Sequence, residues 1–279
     1  MPVYWQRLLI LLISASLGAC SNAFVYNQMD WLIPWYVDDY VDFTREQKAD
    51  FKAQLIPLLE WHRTEELDSY LLILNRIEAD IQQPVTAEAI SAWTDEFVAA
   101  YQRIEKRSMP LAFELGEQAS DAQIAHFMAE LYEEQDDYEE EYLTRSEEKV
   151  RERGYKNMVD NVDDVLGRLE PEQKETLRAA ADQLQRFDAI WLSQRRWWLE
   201  QTEEVLRREP GWQERALDLM ERREELESPE YREINEQNQL IIYTALAEVL
   251  NSRTEKQDKR LRRELDGFRE DLQALIGDQ

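Results

Sequence analysis

Cys20 has the most specific chemical context in this sequence, and it is the only cysteine among the 279 residues. It closes the tetrapeptide Leu17-Gly18-Ala19-Cys20, directly after the apolar run at residues 8–16. That run is too short to span a bilayer. A short start with one Arg, a short apolar run and small residues before a cleavage point are typical of a secretory signal peptide.

The tetrapeptide resembles the lipobox of bacterial lipoproteins. The resemblance implies that residues 1–19 are a lipoprotein signal peptide, that the Cys20 thiol receives a diacylglycerol, and that its new amino group receives an acyl chain such as palmitate. In such lipoproteins an Asp after the cysteine signals inner-membrane retention, so Ser21 favours the outer membrane and a body facing the periplasm. A chance cysteine behind an ordinary leader and an uncleaved anchor are the alternatives.

The mature chain is strongly acidic. Cleavage removes only Arg7 from the 33 Lys and Arg, so 32 remain against 59 Asp and Glu and the net charge becomes −27. Such a surface repels nucleic acid and anionic headgroups, which excludes nucleic-acid partners and unaided membrane adsorption. Because lipidation consumes Cys20 and only His62 and His126 are present, we expect no cofactor and no metal site.

Periodicity predicts an all-α protein, since apolar residues recur at helical spacing and no strand-like alternation is sustained. We expect an elongated bundle of about eight helices, kinked at Pro57 and Pro110, with a break in the fourth at Asn157–Gly167. The domains expected are a lipidated, aromatic juxtamembrane segment at 20–43 and an acidic helical domain at 44–279; the alternative is that the latter consists of two packed subdomains with a break near 167–170. The predicted helices lie near 26–40, 44–82, 86–118, 120–166, 170–208, 211–226, 229–250 and 254–276.

Four predicted helices begin with one recurring frame, in which a capping residue precedes a Gln by three positions. A hydroxyl or carboxylate that accepts from an early amide, with a Gln that reaches back to the cap, is a capping box. The frame also resembles the LTxxQ motif of small periplasmic stress chaperones, although that family is about half as long and has a basic client surface. Helix capping is the favoured interpretation. The frames are Thr44–Gln47, Ser120–Gln123, Glu170–Gln173 and Thr254–Gln257.

A longer resemblance is carried by DWLIPWYVDDYVDFT at residues 30–44 and by WHRTEEL at 61–67 with Tyr70. With the lipobox, these segments resemble a family of Gram-negative bacterial lipoproteins that contains a domain of unknown function. The resemblance covers most of the mature chain and implies an all-helical periplasmic lipoprotein. It implies no activity and no functional residues.

Three other groups of residues could do chemistry, and each also has a structural explanation. The aromatic segment 31–40 could rest on lipid headgroups, but its neighbouring Asp residues favour packing onto the bundle. His62 could transfer protons, yet a core histidine with hydrogen-bond partners is commoner. The acidic run 133–141 splays carboxylates around a helix, so we expect a solvated face and not a calcium site.

Arg195, Arg196 and Trp197 form the candidate partner-binding cluster. Two cations beside an aromatic ring in an acidic protein could grip an anionic glycan or a partner's carboxylates. The favoured interpretation is structural: the Arg pair neutralises nearby Glu, and Trp198 faces the core on one helical stripe with Leu184 and Trp191. We expect a non-catalytic interaction or scaffold module, held to the membrane by acyl chains, whose partner is an envelope protein or glycan. A chaperone-like binder of envelope proteins and a cell-wall enzyme or its activator are the alternatives.

Overall fold

The computed structural model describes residues 19–277 of the chain. Most of the predicted signal peptide, with Leu17 and Gly18 of the lipobox, lies outside the described residues. Ala19 and Cys20 are the first two residues of the first helix. None of the helices within 19–277 is long and apolar enough to cross a membrane.

The predicted all-α class is confirmed, but the predicted count of about eight helices is wrong. The described residues contain thirteen α-helices and no strand; a π turn at His62–Glu66 joins two of the helices into one continuous rod, so there are twelve separate helical segments. The helices are α1 Ala19–Tyr26, α2 Met29–Val41, α3 Arg45–Trp61, α4 Leu67–Asp80, α5 Ala87–Gln118, α6 Asp121–Leu143, α7 Glu147–Leu166, α8 Pro171–Gln183, α9 Asp188–Leu206, α10 Trp212–Glu221, α11 Arg223–Leu226, α12 Pro229–Asn251 and α13 Glu255–Gly277.

The long helix predicted at 120–166 is broken, although not at Asn157–Gly167, which is helical as far as residue 166. The break lies between α6 and α7. Ser146 begins α7 there, and its hydroxyl accepts from the amide of Lys149 at 3.3 Å. Arg186 closes the end of α6 by donating to the carbonyl oxygens of Tyr142 at 2.9 Å and Arg145 at 3.0 Å. A basic side chain on these carbonyls replaces the missing helical amides.

The helix predicted at 170–208 is also divided, because a buried side chain from another helix hydrogen-bonds both the backbone N–H and the backbone C=O of one residue. Asn238 of α12 accepts from the amide of Gln185 at 2.9 Å and donates to its carbonyl at 2.8 Å. Asn251, near the end of the same helix, makes the same two bonds to Val85 at 2.7 and 2.8 Å. Both chain turns are thereby satisfied without helical hydrogen bonds.

Pro57 and Pro110 both lie inside helices, in α3 and α5 respectively. A proline in a helix interior removes one backbone donor. The π turn at 62–66 follows Pro57 by little more than one helical turn. The predicted kinks at the two prolines stay a prediction.

The four capping frames are confirmed as helix starts, and they also pair with one another. Gln47 and Gln123 exchange amide hydrogen bonds at 3.1 and 2.8 Å, while Gln173 and Gln257 do so at 3.1 and 2.9 Å. In both pairs each Gln also accepts from the amide of its own cap residue at 2.9 Å. We call these pairs the first and second Gln clasps. Each joins two helix starts that are distant in sequence.

The main apolar core combines residues from α4, α5, α7, α8, α12 and α13. Leu166 and Leu169, on either side of the loop near 167–170, both belong to it. A second cluster lies between α6 and α9 and includes Tyr138, Trp191 and Leu192. The last helix, α13, packs against α1, α4 and α7. The domain boundaries expected from the sequence stay predictions.

Candidate functional site

Arg195 is buried in the interface between α6 and α9, with 6% of its surface exposed. Its guanidinium donates to Oε1 of Gln135, lies 3.5 Å from the carboxylate of Glu134 and sits over the ring of Tyr138 at 5.1 Å. Burial lowers the pKa of Arg195 and raises that of the Glu134 carboxyl. These contacts assign Arg195 to the packing of two helices, away from any open surface.

Arg196 is half-buried and binds two carboxylates of the same helix α6. Its Nε donates to Glu139 at 2.9 Å and its Nη2 donates to Asp136 at 2.8 Å. These hydrogen bonds raise the pKa of Arg196, and the bond from Arg196 lowers the pKa of the Glu139 carboxyl. We expected the acidic run 133–141 to be a solvated face. This is only partly correct, because Asp136 and Glu139 bind Arg196 of α9.

Trp197 is the member of the cluster that borders a groove. The groove has a volume of about 480 Å³ and lies between α9 and the turn that joins α11 to α12. Gln194 fixes that turn, because its side chain accepts from the amide of Ser228 at 3.0 Å and donates to the carbonyl of Leu226 at 3.3 Å. The side chains that line the groove include one acid and no cation: Ala189, Ile190, Ser193, Gln194, Trp197, Leu226, Ser228 and Glu230.

Trp198 is only partly buried, contrary to the expectation that it faces the core. Its ring meets the ring of Trp197 edge-on, with centroids 4.9 Å apart. The side chains of α9 that are buried are Trp191, Leu192 and Leu199, among others. The helical spacing that the sequence suggests between Leu184 and Trp198 is interrupted at 184–187, because α9 begins only at Asp188.

His62 lies in the π turn, where three parts of the chain meet. Its Nδ1 is 2.8 Å from the hydroxyl of Tyr26 in α1, and its Nε2 is 3.1 Å from the hydroxyl of Tyr70 in α4. Burial lowers the pKa of His62 to about 4. The preference for a histidine with satisfied hydrogen bonds is confirmed. Beside it, the buried carboxylate of Glu66 is bound by Arg103 through Nε at 2.9 Å.

The aromatic segment of α2 does not pack wholly onto the bundle, which corrects the sequence-based preference. Trp31 and Trp35 are 58% and 54% exposed, and their rings stack 6.2 Å apart at an angle of 8°. Pro34 and Val41 are the side chains of α2 that are buried. The sequence-based preference rested on the charge of the neighbouring Asp residues, and it did not include the lysines that pair with Asp30 and Asp38.

No group of three or more His, Cys, Asp or Glu side chains among the described residues could hold a metal ion. Comparison with protein families matches residues 39–232 to a family of unknown function (DUF6279). The chain belongs to this family. The DUF6279 segment begins near the end of α2 and extends into α12, so it includes the π turn, the first Gln clasp and the groove beside Trp197. No curated protein and no solved structure matches the chain.

Proposed function

We propose that this chain is a lipoprotein of the outer membrane, anchored through acyl chains on Cys20, with a periplasmic helical body that acts as a non-catalytic interaction or scaffold module. The tetrapeptide at residues 17–20, placed directly after a short apolar run, carries the proposal. Acyl chains give the anchoring that a chain of net charge −27 would not achieve by adsorption.

The anchor is tested by expression of the wild type, Cys20→Ser and Ser21→Asp in a Gram-negative host with radiolabelled palmitate. We expect label in the wild type and in Ser21→Asp, and none in Cys20→Ser, because the thioether requires sulfur. Density-gradient separation should place the wild type in the outer membrane and Ser21→Asp in the inner membrane. Equal incorporation of label into wild type and Cys20→Ser would refute the proposal.

The groove beside Trp197 is the proposed partner site of this module. Arg195 and Arg196 already bind groups of α6, and the groove itself carries Glu230. These features favour an uncharged or basic protein segment over an anionic glycan as the partner. Trp is the residue type most enriched at binding hot spots.

The partner site is tested by affinity purification from detergent-solubilised envelopes. We expect Trp197→Ala to lose a partner that the wild type recovers, while Leu240→Ala, which changes an exposed side chain on α12, retains it. Thermal melting of both variants checks that the fold is intact. Equal recovery by the two variants would remove the groove from consideration.

A chaperone-like binder of envelope proteins is the second candidate, and the exposed rings of α2 favour it. If the protein suppresses the light scattering of an aggregating, chemically denatured client, that would support this function. The double substitution Trp31→Ala with Trp35→Ala should abolish the suppression.

A cell-wall enzyme, or an activator of one, requires a desolvated carboxyl in a cleft. The pKa of Glu134 is raised, but this carboxyl lies beside Arg195 in the α6–α9 interface, so we rank that function last.

A further inference from the structure

Four aromatic side chains near Cys20 are strongly exposed, and they are the only such aromatics in the part of the chain that the structure describes. Phe24 belongs to α1, whereas Trp31, Trp35 and Tyr36 belong to α2; their exposed fractions are 66%, 58%, 54% and 41%. The other strongly exposed large apolar side chains are aliphatic and lie on six different helices. Exposed aromatic surface concentrated in this way marks an interaction site.

We propose that these four side chains form a membrane face, which rests at the headgroup level of the bilayer that holds the acyl chains of Cys20. This inference rests on the proposed lipid anchor and adds a second contact to it. Trp and Tyr favour the interface between lipid and water, because their rings are apolar and their N–H and O–H groups are polar.

The position of the face in the chain identifies the membrane as its occupant. Phe24 follows Cys20 by four residues within the same helix, which is about 6 Å along the helix axis. Acyl chains on Cys20 therefore bring α1 to the lipid surface. Trp31 and Trp35 are one helical turn apart on α2 and stack, so they present their rings on one side of that helix.

The acids of α2 are less repulsive to a membrane than the sequence indicates, because α3 supplies cations. Lys52 binds Asp30 at 2.9 Å, and Lys48 binds Asp38 at 2.6 Å. Asp39 stays exposed beside the face. Unaided adsorption is thus still unfavourable, but an acyl anchor holds the face at high effective concentration next to the lipid.

The membrane face is attached to the body, which makes it more than the end of a flexible tether. The Tyr26 hydroxyl pairs with His62, and Arg63 donates to Asn27 at 2.5 Å and lies over the Tyr26 ring at 5.1 Å. Helix α13 packs against the same helix α1. A face held in this way fixes the orientation of the body relative to the membrane.

The test uses the acylated full-length protein with one added cysteine. Since Cys20 is the only native cysteine and acylation blocks its thiol, the new cysteine is the only site for a thiol-reactive bimane fluorophore. Trp31→Cys places the label on the membrane face. Leu240→Cys is the matched control, because Leu240 is also an exposed apolar side chain, 60% exposed, on α12.

Both labelled proteins are reconstituted into phosphatidylethanolamine vesicles whose acyl chains carry bromine close to the headgroup. Interfacial groups lie about 5–10 Å into the headgroup and acyl boundary. We expect strong quenching of the label at position 31, none at position 240, and none at position 31 in a Cys20→Ser background. Equal quenching at 31 and 240 in acylated protein would overturn the membrane face and leave the lipid anchor standing.

Three further outcomes would also overturn the inference, and they differ in their readouts. If mass spectrometry finds no acyl chains on Cys20, the anchor fails together with the face. If the label at position 31 is shielded in detergent without vesicles and the protein elutes as a dimer, a second copy of the chain covers the face. Retention of a partner protein over the label, with no quenching by lipid, would assign the face to that partner.

Discussion

The second Gln clasp, formed by Gln173 and Gln257, is predicted to stabilise the fold more than the first clasp, formed by Gln47 and Gln123. The clasps make equivalent hydrogen bonds but differ in burial. Gln173 and Gln257 are 2% and 3% exposed, whereas Gln47 and Gln123 are half-buried. Burial determines whether water can replace a hydrogen bond that a substitution removes.

The substitution Gln257→Ala removes bonds to three groups at once. The amide of Thr254 loses its acceptor at 2.9 Å, the carbonyl of Arg168 loses its donor at 3.2 Å, and the Gln173 side chain loses both of its bonds to Gln257. The Gln173 side chain left behind is buried, and the Thr254 amide and the Arg168 carbonyl lie in part-buried hydrogen bonds, so we expect a loss of about 3 kcal/mol in the free energy of unfolding. Gln123→Ala removes the equivalent bonds beside solvent and should cost about 1 kcal/mol.

Urea unfolding followed by both circular dichroism and tryptophan fluorescence measures these losses, since coincident transitions justify a two-state treatment. The double substitution Gln173→Ala with Gln257→Ala should cost about 1–2 kcal/mol less than the sum of the two single costs, because the two side chains bind each other. Equal losses for Gln257→Ala and Gln123→Ala, or additive losses in the buried pair, would refute the reasoning.

Three other predictions concern packing and charge. Arg195→Gln should lower the free energy of unfolding by about 3 kcal/mol, because it removes the partner of Gln135 and Glu134 in α6. Arg196→Gln should cost less than about 1 kcal/mol. Equal urea midpoints for the two variants would contradict this prediction. Gly116→Ala should cost about 1–3 kcal/mol, since the added Cβ would lie 2.8 Å from the buried ring of Trp212, and an unchanged melting temperature would disprove the close contact. Because the pKa of His62 is lowered from 6.5 to about 4, the unfolded chain binds more protons between these values. Stability of the wild type should therefore fall more than that of His62→Gln as the pH decreases from 6.5 to 4, and parallel urea midpoints across this range would argue against it.

Helix starts were predictable from the sequence because capping chemistry is local. A cap residue and a Gln three positions later determine the bonds of one turn, and all four frames begin helices. The pairing of those Gln residues was not predictable. It joins residues separated by 76 positions in one clasp and 84 in the other, and periodicity carries no information at that range.

Helix breaks depend on distant partners, which explains why two of them were missed. The break after α8 exists because Asn238, 53 residues away, binds the peptide unit of Gln185. The break before Ser146 is closed by Arg186, which lies 41 residues from the carbonyl of Arg145 that it binds. Each segment on its own has a continuous helical pattern, so sequence reasoning joined them.

Only the part of the candidate site whose chemistry depends on adjacent residues could be proposed from the sequence, and for Cys20 the lipidation stays a prediction. The context of Cys20 is contained in one tetrapeptide and the run before it. The burial of Arg195 depends on Gln135 from another helix, and the exposure of Trp31 was undervalued because the cations on α3 that neutralise neighbouring acids were not considered. Charge counted along one helix overstates repulsion when the neighbouring helix carries the opposite charge.

The packing of α13 against α1 has a consequence for the order in which this protein matures. The ribosome delivers α1 first, while its packing partner, residues 255–277, emerges after every other helix described above. Until then, α1 and the π turn lack one side of their packing surface. The native packing of α1 is therefore completed only when α13 has been made, and a chain halted before residue 255 would hold α1 without its contacts to α13.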